Sequence, residues 1–509
     1  EDKIKNCCDY DVVIAGGGFA GLYMLHRCQK SGYRVRLFEA GSGIGGTWFW
    51  NRYPGARVDV ESMEYSYSFD DDLQQEWQWS ERYAAQPELQ RYVNHVADRF
   101  KLWSNIQLNT KVTSAKFDEA NRRYKIETSK NEKMTAKYCV LATGFLSSGE
   151  IPKFKSVEDY RGETYLTSKW PESDVDFEGK TVSIIGTGSS AVQAIPIIAK
   201  KAKHLTVFQR TAPYTIPLRN GPINKDFEAL VKSMYPEWRR RQRWESRAGF
   251  IALNNKPSSP VDKSALEVSE EERAAEYEER WQSGGLSFYA SFSDLLTSEE
   301  ANKTLAEFVR EKTRSRINDP KLAELLMPKD FPILAKRLCA DTGYYEAYNQ
   351  KNVSLVSIKD NPIQKITDKG VVVNGREYVS DVIIFATGFD AVTGAISRID
   401  VEGKEGINLN SHWEGAPRAY LGLTSVGFPN LFFVDGPCAN GALFSPMLLL
   451  EHQVDWLMDC IKFSGLSDSS LVEAKTEYEN EWIEHMNAVG AGTLIHKANS
   501  WYMGANIPG

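Results

Sequence analysis

Two glycine-rich turns hold the residues whose types and spacing are most informative about chemistry. The first occupies residues 16–21 and directly follows the apolar run 10–15, and the second occupies residues 186–191 after the apolar run 181–185. Each turn lies between a predicted strand and a predicted helix, where glycine lets the backbone approach a pyrophosphate and the helix N-terminus faces its negative charge. The fingerprint positions expected to bind a cofactor are Gly16, Gly18, Gly21, Gly186, Gly188, Ser189 and Ser190. Two such turns predict an enzyme that uses two dinucleotides.

The residues that end the second strand of each unit carry opposite charges. The run 34–39 ends in Glu39, near the spacing of about 20 residues at which a carboxylate accepts hydrogen bonds from ribose hydroxyls. The run 204–211 ends in Arg210 and Thr211, and a guanidinium beside a hydroxyl suits a 2′-phosphate. A solvated charge at a strand end is the alternative for Arg210. The reversal of sign predicts FAD at the first turn and NADPH at the second.

These turns belong to alternating strand and helix patterns. The patterns predict an α/β fold with two Rossmann-like dinucleotide-binding domains, one for FAD and one for NADP, and a helical insertion. Two further apolar runs, 138–144 and 382–388, both end in Ala-Thr-Gly, where the chain crosses between domains and its backbone must approach a neighbour closely. Within the insert, the segments 269–282 and 298–316 are charged and patterned at helical spacing. Their sequence leaves open whether the insert only supports the fold or also contacts substrate.

Domain boundaries follow from the same patterns. The FAD domain is expected over residues 1–150 and 386–509, and the NADP domain over residues 151–219 and 331–385. The helical insert is expected over residues 220–330. A chain of 509 residues exceeds one typical core, so several domains are the natural expectation.

Composition and charge exclude several classes of protein. The formal net charge of −7 gives no case for a nucleic acid or anionic membrane partner, and no run of about 18 apolar residues predicts a membrane span. The 7 cysteines contain no CxxC pair, which excludes the redox-active dithiol of a disulfide reductase. Zinc spacing is also missing, so we expect no metal. A reducing cytoplasm is the expected compartment, and a monomer or weak oligomer is the expected state.

The segment after the first turn adds a specific resemblance. Residues 45–59 combine glycines, aromatic residues and one late carboxylate, and they include Gly46, Thr47, Trp48 and Asp59. Here the chain resembles the type I Baeyer–Villiger monooxygenases, which use FAD, NADPH and molecular oxygen to convert ketones to esters or lactones. The similarity covers essentially the whole chain, including residues 336–337, 344–346, 386–390 and 501–506.

The linker of that family departs from its usual pattern in this chain. The family fingerprint FxGxxxHxxxW, followed by Pro or Asp, matches here at Gly162, Trp170 and Pro171, and Tyr160 is a mild change. Leu166 stands where the family has histidine. The resemblance implies that this histidine couples the movement of the two nucleotide domains. Leucine can neither titrate nor donate a hydrogen bond, so we expect altered NADPH handling with an intact fold.

The resemblance also implies roles for a cation and its partner. In the family, oxygen adds to the reduced flavin, and the resulting peroxide must stay deprotonated to attack the ketone. A nearby cation favours that anion and the later oxyanion. Arg337 is expected to be this cation and Asp59 to orient it, whereas a purely structural pair is the alternative.

Further site residues are carried over from the same resemblance. Lys336 is expected to contact the NADPH phosphate with Arg210 and Thr211, and Gln193 and Trp501 are expected at the cofactors. The remaining candidates belong to the loop 435–447, where core packing is the alternative to an apolar substrate pocket: Leu443, Phe444 and Met447.

Three other functions stay open at this point. A heteroatom-oxidising flavin monooxygenase needs no arginine at the flavin, and sulfoxidation is also a possible side reaction of the ketone enzyme. Leu166 favours a second alternative, an NADPH oxidase that releases hydrogen peroxide with little transfer to substrate. A non-catalytic FAD and NADPH binding module is the third. The residues do not identify which ketone would be used.

Overall fold

The computed structural model describes residues 9–147, 149, 151–250, 262–439, 441, 443–465 and 471–504. Its strands in chain order are β1 (Tyr10–Ala15), β2 (Val35–Phe38), β3 (Ile106–Gln107), β4 (Val112–Asp118), β5 (Arg123–Thr128), β6 (Lys133–Leu141), β7 (Glu163–Leu166), β8 (Thr181–Ile185), β9 (His204–Gln209), β10 (Thr215–Pro217), β11 (Cys339–Asp341), β12 (Val353–Ser357), β13 (Ile363–Ile366), β14 (Gly370–Val373), β15 (Arg376–Val379), β16 (Val382–Phe385), β17 (Asp400–Glu402) and β18 (Leu431–Phe433).

The α-helices of the same residues in chain order are α1 (Phe19–Lys30), α2 (Thr47–Trp50), α3 (Asp71–Glu76), α4 (Gln86–Arg99), α5 (Ser189–Ala199), α6 (Lys225–Ser233), α7 (Tyr235–Trp244), α8 (Glu270–Ser283), α9 (Glu299–Arg314), α10 (Pro320–Leu326), α11 (Tyr344–Ala347), α12 (Leu409–His412), α13 (Pro446–Gly465) and α14 (Thr476–Ala491).

The first sheet has the strand order β17-β4-β5-β6-β1-β2-β3, and β18 pairs with β6 beside that path. Around β1 the pairing is parallel, with β2 on one side and β6 on the other. Four residues of β1, Val12 to Ala15, are buried, as expected for a strand with helices on both faces. This sheet therefore joins an early segment of the chain to the late strand β18.

Part of this region differs from the simple alternation of strand and helix that the sequence predicts. After α4 the chain forms an antiparallel ribbon in which β4 pairs with β5 and β5 pairs with β6. Residues 119–122 and 129–132 form the connections between these strands. Such connections are too short for a crossover helix, so the strands must turn back on themselves.

The second sheet is parallel throughout, in the order β12-β9-β8-β16-β7. Its strands come from residues 163–209 and 353–385. The small parallel pair β10-β11 comes from the chain between these two segments, whereas the three-stranded antiparallel sheet β13-β14-β15 comes from the second segment, between β12 and β16. The parallel pairing around β1 in the first sheet and throughout the second confirms the predicted α/β fold with two dinucleotide-binding domains.

The two Ala-Thr-Gly runs lie against the first glycine of each turn. A Cβ added to Gly16 would lie 2.4 Å from the Ala142 carbonyl oxygen, and one added to Gly186 would lie 2.3 Å from the Ala386 carbonyl oxygen. Both glycines also have a positive φ, of 110° and 111°. Only glycine is compatible with that conformation and that approach, so the two nucleotide units repeat the same packing.

The insert is helical, as its pattern predicts. Ser269 caps α8 by accepting a hydrogen bond from the Glu272 amide, and Ser298 caps α9 by accepting one from the Ala301 amide. Its aromatic residues form a core of their own, which also contains Leu334 and Leu338 from the segment after the insert. The insert is thereby anchored to the chain that leads into β11. None of the helices described is long and apolar enough to cross a membrane.

Candidate active site

The first glycine turn offers an open helix N-terminus. Helix α1 begins after Gly18, whose position carries no side-chain cap, so the first amide groups of the helix have no competing side-chain acceptor. A Cβ on Gly46 would lie 3.0 Å from the Gly18 Cα, so the start of residues 45–59, the flavin segment, packs closely against this turn. A Cβ on Gly21 would lie 1.9 Å from the Gly16 carbonyl oxygen. These features fit a bound pyrophosphate.

Glu39 lies beside the same turn. Its Oε2 accepts a hydrogen bond from the Gly17 amide at 2.6 Å, and its Oε1 accepts one from the Gly41 amide at 2.7 Å. Burial raises the pKa of Glu39, while these backbone donors oppose that rise. A carboxylate has further acceptor sites beyond two hydrogen bonds, so it fits the ribose recognition expected from the sequence.

The second glycine turn is open in the same way. Helix α5 begins at Ser189 without a side-chain cap, and a Cβ added to Gly188 would meet nothing within 4 Å. Behind it, the Thr187 hydroxyl donates to the Thr211 carbonyl oxygen at 2.9 Å. The Ser189 hydroxyl contacts the Cys339 sulfur at 3.4 Å. This turn also fits a pyrophosphate.

Arg210 and Lys336 come together although they are far apart in the sequence. Arg210 is exposed at the end of β9. Burial lowers the pKa of Lys336, and the positive charge of Arg210 lowers it further. Two cations that repel one another in this way provide a site for an anion. The arrangement suits the 2′-phosphate of NADPH.

Gln193 and Ser190 of helix α5 both contact the segment 53–57. The Gln193 Oε1 accepts from the Tyr53 hydroxyl at 2.9 Å and from the Arg57 amide at 3.4 Å, and its Nε2 donates to the Arg57 carbonyl oxygen at 3.1 Å. A Cβ on Gly55 would lie 2.5 Å from the Gln193 carbonyl oxygen. Ser190 is also a hydrogen-bond partner of Tyr53. Gln193 thus holds the segment 53–57 against α5, a role that the sequence did not suggest.

Arg337 and Asp59 form a bidentate ion pair. The Arg337 Nε donates to Asp59 Oδ2 at 2.6 Å, and its Nη2 donates to Asp59 Oδ1 at 2.7 Å. Burial lowers the pKa of Arg337, but the Asp59 carboxylate outweighs this effect, so the pKa lies above its usual value. The guanidinium is therefore charged at every working pH. The side chains are 22% and 24% exposed, so the pair faces a partly enclosed space instead of bulk water.

Two tyrosines flank this pair. Tyr289 belongs to the insert, and its hydroxyl donates to the Lys336 carbonyl oxygen at 3.3 Å. Tyr502 belongs to the C-terminal segment, and its hydroxyl interacts with the backbone of Arg337. Burial raises the pKa of both tyrosines, whereas the Arg337 charge opposes that rise. No sequence signal pointed to Tyr289. Tyr502 lies within the family tail at residues 501–506, but no role at the ion pair was expected for it.

A cavity of about 180 Å³ opens beside the pair. Asp59, Arg337 and Leu443 line it, so one predicted pocket residue lies on the same wall as the predicted cation. The insert contributes most of the apolar lining, which includes Ala248, Phe250, Leu286, Tyr289, Ala290, Phe292, Leu295 and Leu296. The insert therefore forms part of the cavity wall.

The other two predicted pocket residues lie elsewhere. Met447 is 2% exposed and belongs to the main core cluster of the first sheet, because helix α13 turns it inward. Phe444 packs toward Gly249, where an added Cβ would lie 3.0 Å from its ring. For Met447, core packing replaces the pocket role that the sequence suggested.

The flavin segment and the tail complete the surroundings. Trp48 is buried, and its Nε1 donates to the Tyr65 hydroxyl at 3.0 Å, while Thr47 begins helix α2. Trp501 lies in a short 3-10 helix, but its side chain and residues 505–506 of the family tail are outside the described part of the chain. Within the described residues, no group of acidic, histidine and cysteine side chains could hold a metal ion.

Leu166 is buried at the edge of the second sheet. It pairs with Phe385 across β7 and β16 and packs in an apolar cluster with Ile185 and Phe208. Four residues later, the Trp170 amide donates to the Trp50 carbonyl oxygen at 3.0 Å. The linker thus connects the second sheet to the flavin segment, with leucine in an apolar position.

Comparisons with known proteins agree over nearly the whole chain. The family model of pyridine nucleotide-disulphide oxidoreductases matches residues 13–226. A Baeyer-Villiger monooxygenase from Pseudooceanicola batsensis is 40% identical, with coverage of 98% of this chain and 90% of the relative. The phenazine N-monooxygenase PhzNO1 from Lysobacter antibioticus is also 40% identical, with coverage of 98% and 90%. A solved structure of an oxidised steroid monooxygenase bound to NADP is 46% identical, with a TM-score of 0.93 and coverage of 97% and 93%.

Proposed function

Because this chain belongs to the Baeyer–Villiger monooxygenases, we propose that its oxidation of ketones takes place at Arg337 and Asp59. The chain is an NADPH- and O₂-dependent flavin monooxygenase that inserts one oxygen atom next to a ketone carbonyl to give an ester or lactone. Its cofactors are FAD and NADPH. The observation that carries the proposal is the bidentate Arg337–Asp59 pair in the wall of a cavity lined mainly by apolar residues.

The residues of the two glycine turns would hold the cofactors. The first turn, Glu39 and the segment containing Gly46, Thr47 and Trp48 would hold FAD, and the second turn would hold the NADPH pyrophosphate. Arg210, Thr211 and Lys336 would bind its 2′-phosphate. Bound FAD, once reduced by NADPH, supplies the activated oxygen that is transferred.

Arg337 acts as a fixed positive charge in this proposal. Asp59 accepts two of its N–H groups, so the guanidinium keeps one orientation without reorganising during the reaction. The charge stabilises negative charge that develops on the carbonyl oxygen of the substrate. The apolar wall from the insert would exclude water and hold the carbon skeleton of the ketone.

A panel of cyclic, linear and aromatic ketones tests the function directly. Purified protein with FAD, NADPH and air should give esters or lactones, and Arg337→Ala should still reduce its flavin with NADPH but make no ester. Arg337→Lys keeps a charge but loses the bidentate contact, so it should retain only a small part of the rate. Ester formation by Arg337→Ala at the parent rate would refute the role.

Oxidation of a ring nitrogen is a second candidate. It is favoured by the phenazine N-monooxygenase among the relatives. Adding nitrogen heterocycles and sulfides to the panel separates the two reactions. In Arg337→Ala, oxidation of a heteroatom should survive better than ester formation, because it does not need to stabilise a ketone oxyanion.

Other properties of the molecule are proposed on the same basis. The proposed domain boundaries are 1–150, 151–219, 220–330, 331–385 and 386–509, and the strands of the two sheets and the helices of the insert support them. A reducing cytoplasm is supported by free thiols at Cys28, Cys139, Cys339, Cys438 and Cys460. A monomer or weak oligomer is proposed, and light scattering of the FAD-bound protein measures it.

A further inference from the structure

Asp435 lies at the edge of the first sheet where the FAD turn is found. It follows β18 after one residue, and the intervening Val434 amide donates to the Leu141 carbonyl oxygen at 3.1 Å. The next residue after Leu141 is Ala142, which contacts Gly16 of the turn. In sheets of this kind, ligands bind outside the carboxyl ends of the parallel strands. Asp435 therefore occupies a ligand-facing position of the fold.

The backbone of Asp435 is held in a conformation that few side chains adopt. Its φ is 58°, in the left-handed region, which aspartate tolerates better than most residues. The Asp435 amide donates to Gln453 Oε1 of helix α13 at 2.7 Å, and its Oδ1 accepts from the Gly441 amide at 2.8 Å. Strain of this kind persists only where its surroundings fix it, and it is concentrated at functional sites.

The position of Asp435 connects the flavin segment to the cavity. Along the chain, the loop that begins at Asp435 reaches Leu443 in the cavity wall. Across the fold, Asp435 is within electrostatic reach of Tyr65, whose hydroxyl accepts from Trp48 of the flavin segment. Asp435 thus lies between the FAD turn, the flavin segment and the substrate cavity.

Burial sets the ionisation of the Asp435 carboxyl. Burial raises the pKa of Asp435 to about 7, although the hydrogen bond from the Gly441 amide opposes the rise. Tyr65 interacts electrostatically with Asp435, and it is also influenced by Asp59 and Arg337. Gln453 on α13 is uncharged. Burial is therefore the main influence on the pKa of Asp435.

We infer that Asp435 is a positioning residue of the flavin site, against which bound FAD packs and whose proton sets the charge beside the flavin. This inference rests on the placement of FAD in the proposed function. When protonated, the carboxyl can donate a hydrogen bond. When ionised, it places a negative charge near a group that gains electrons, which disfavours flavin reduction.

The test follows the bound flavin, not product formation. The visible spectrum and the midpoint potential of the FAD-bound protein are measured from pH 5.5 to pH 9 for the parent and for Asp435→Asn. Asparagine retains an acceptor for the Gly441 amide but cannot ionise. The parent should show a spectral transition centred near pH 7 and a potential that falls more steeply with pH than in the variant.

Asp174→Asn is the matched control, since Asp174 is exposed and should leave the transition unchanged. The same transition in the parent and in Asp435→Asn, at equal FAD occupancy, would overturn the inference. So would a parent spectrum and potential that show no component near pH 7.

A further measurement applies if Asp435→Asn does not retain FAD. Infrared difference spectra of the parent, labelled with ¹³C-aspartate, should show a carboxylic acid signal that shifts when the flavin is reduced, and its absence would contradict the inference. Failure of the proposed function has a different signature, because a protein that makes no ester from any ketone can still show the flavin transition.

Discussion

Single residues decide how the two nucleotides would be told apart. Glu39 lies beside the first turn with both carboxylate oxygens held by backbone amides, whereas Arg210 and Lys336 repel one another beside the second. A carboxylate would repel a 2′-phosphate, and paired cations attract it. The sign of the charge at each of the two strand ends would therefore determine which nucleotide binds there.

Replacing Arg210 or Lys336 by alanine should weaken NADPH binding. A hydrogen bond to a charged group contributes about 1.5–3 kcal/mol, so the KM for NADPH should rise roughly 10- to 100-fold while kcat changes little. Initial rates at saturating ketone measure this. Arg123→Ala, on strand β5 of the first sheet, serves as the control, and a loss of kcat without a change in KM would argue against the assignment.

The ion pair at the cavity was predictable only in part. The resemblance of residues 45–59 and 336–337 pointed to Arg337 and Asp59, and the structure brings them to within 2.6 Å. Tyr289 and Tyr502 were not predictable, because burial beside a guanidinium depends on the insert and the tail folding onto the same point. Met447 was predicted to line the pocket but packs in the core. An apolar residue near a loop suits a pocket and a core equally well, so the sequence alone does not distinguish them.

At the scale of elements, helix α5 has two partners. Its N-terminus forms the NADPH turn, and one helical turn later Gln193 holds the segment 53–57. The periodicity of the sequence predicted the helix and its turn. It could not predict the Gln193 contacts, because they depend on how the two nucleotide units are placed against each other.

Gln193→Met keeps the length of the side chain and removes its polar groups. The Tyr53 hydroxyl and the Arg57 backbone groups would then lose a buried partner, at a cost of about 1–3 kcal/mol. We expect a lower thermal midpoint and slower flavin reduction by NADPH, because the flavin segment is no longer held against α5. Stopped-flow reduction measures the second effect. Gln282→Met, on the exposed face of α8, should change neither, and unchanged reduction in Gln193→Met would remove the idea.

Leu166→His restores the residue that the family has in the linker. Since Leu166 is buried among Ile185, Phe208 and Phe385, a polar ring there should cost about 1–3 kcal/mol of folding stability. If the histidine couples the domains, less hydrogen peroxide should be released for each NADPH consumed. Oxygen uptake compared with ester yield measures the coupling, and Leu166→Met is the control. Equal peroxide release in Leu166→His and the parent would exclude the hypothesis.

At the scale of the whole molecule, Asp435 links stability to pH. Folding raises the pKa of Asp435 from 3.8 to about 7, so the folded state binds this proton more tightly than the unfolded state does. The resulting stabilisation is complete below about pH 4 and is lost as the pH rises through about 7. Its full size is roughly 4 kcal/mol for a shift of about three pH units.

The parent should therefore lose thermal stability between pH 5 and pH 8 by more than Asp435→Asn does. Thermal midpoints of the FAD-free protein at both pH values measure the difference. Parallel losses in the two proteins would show that other groups account for the pH dependence.

The charged pair and the apolar lining of the cavity come from different segments of the chain, which has a consequence for how such enzymes diversify. The charged pair comes from the segment after the first glycine turn and from the segment that leads into β11, whereas residues 248, 250 and several between 284 and 296 supply most of the surface that a carbon skeleton would touch. Mutations of these lining residues can reshape which molecules fit while leaving the electron-transfer apparatus alone. Exchanging these residues between related chains is accordingly a route to new substrate ranges, with the oxygen-insertion step inherited unchanged.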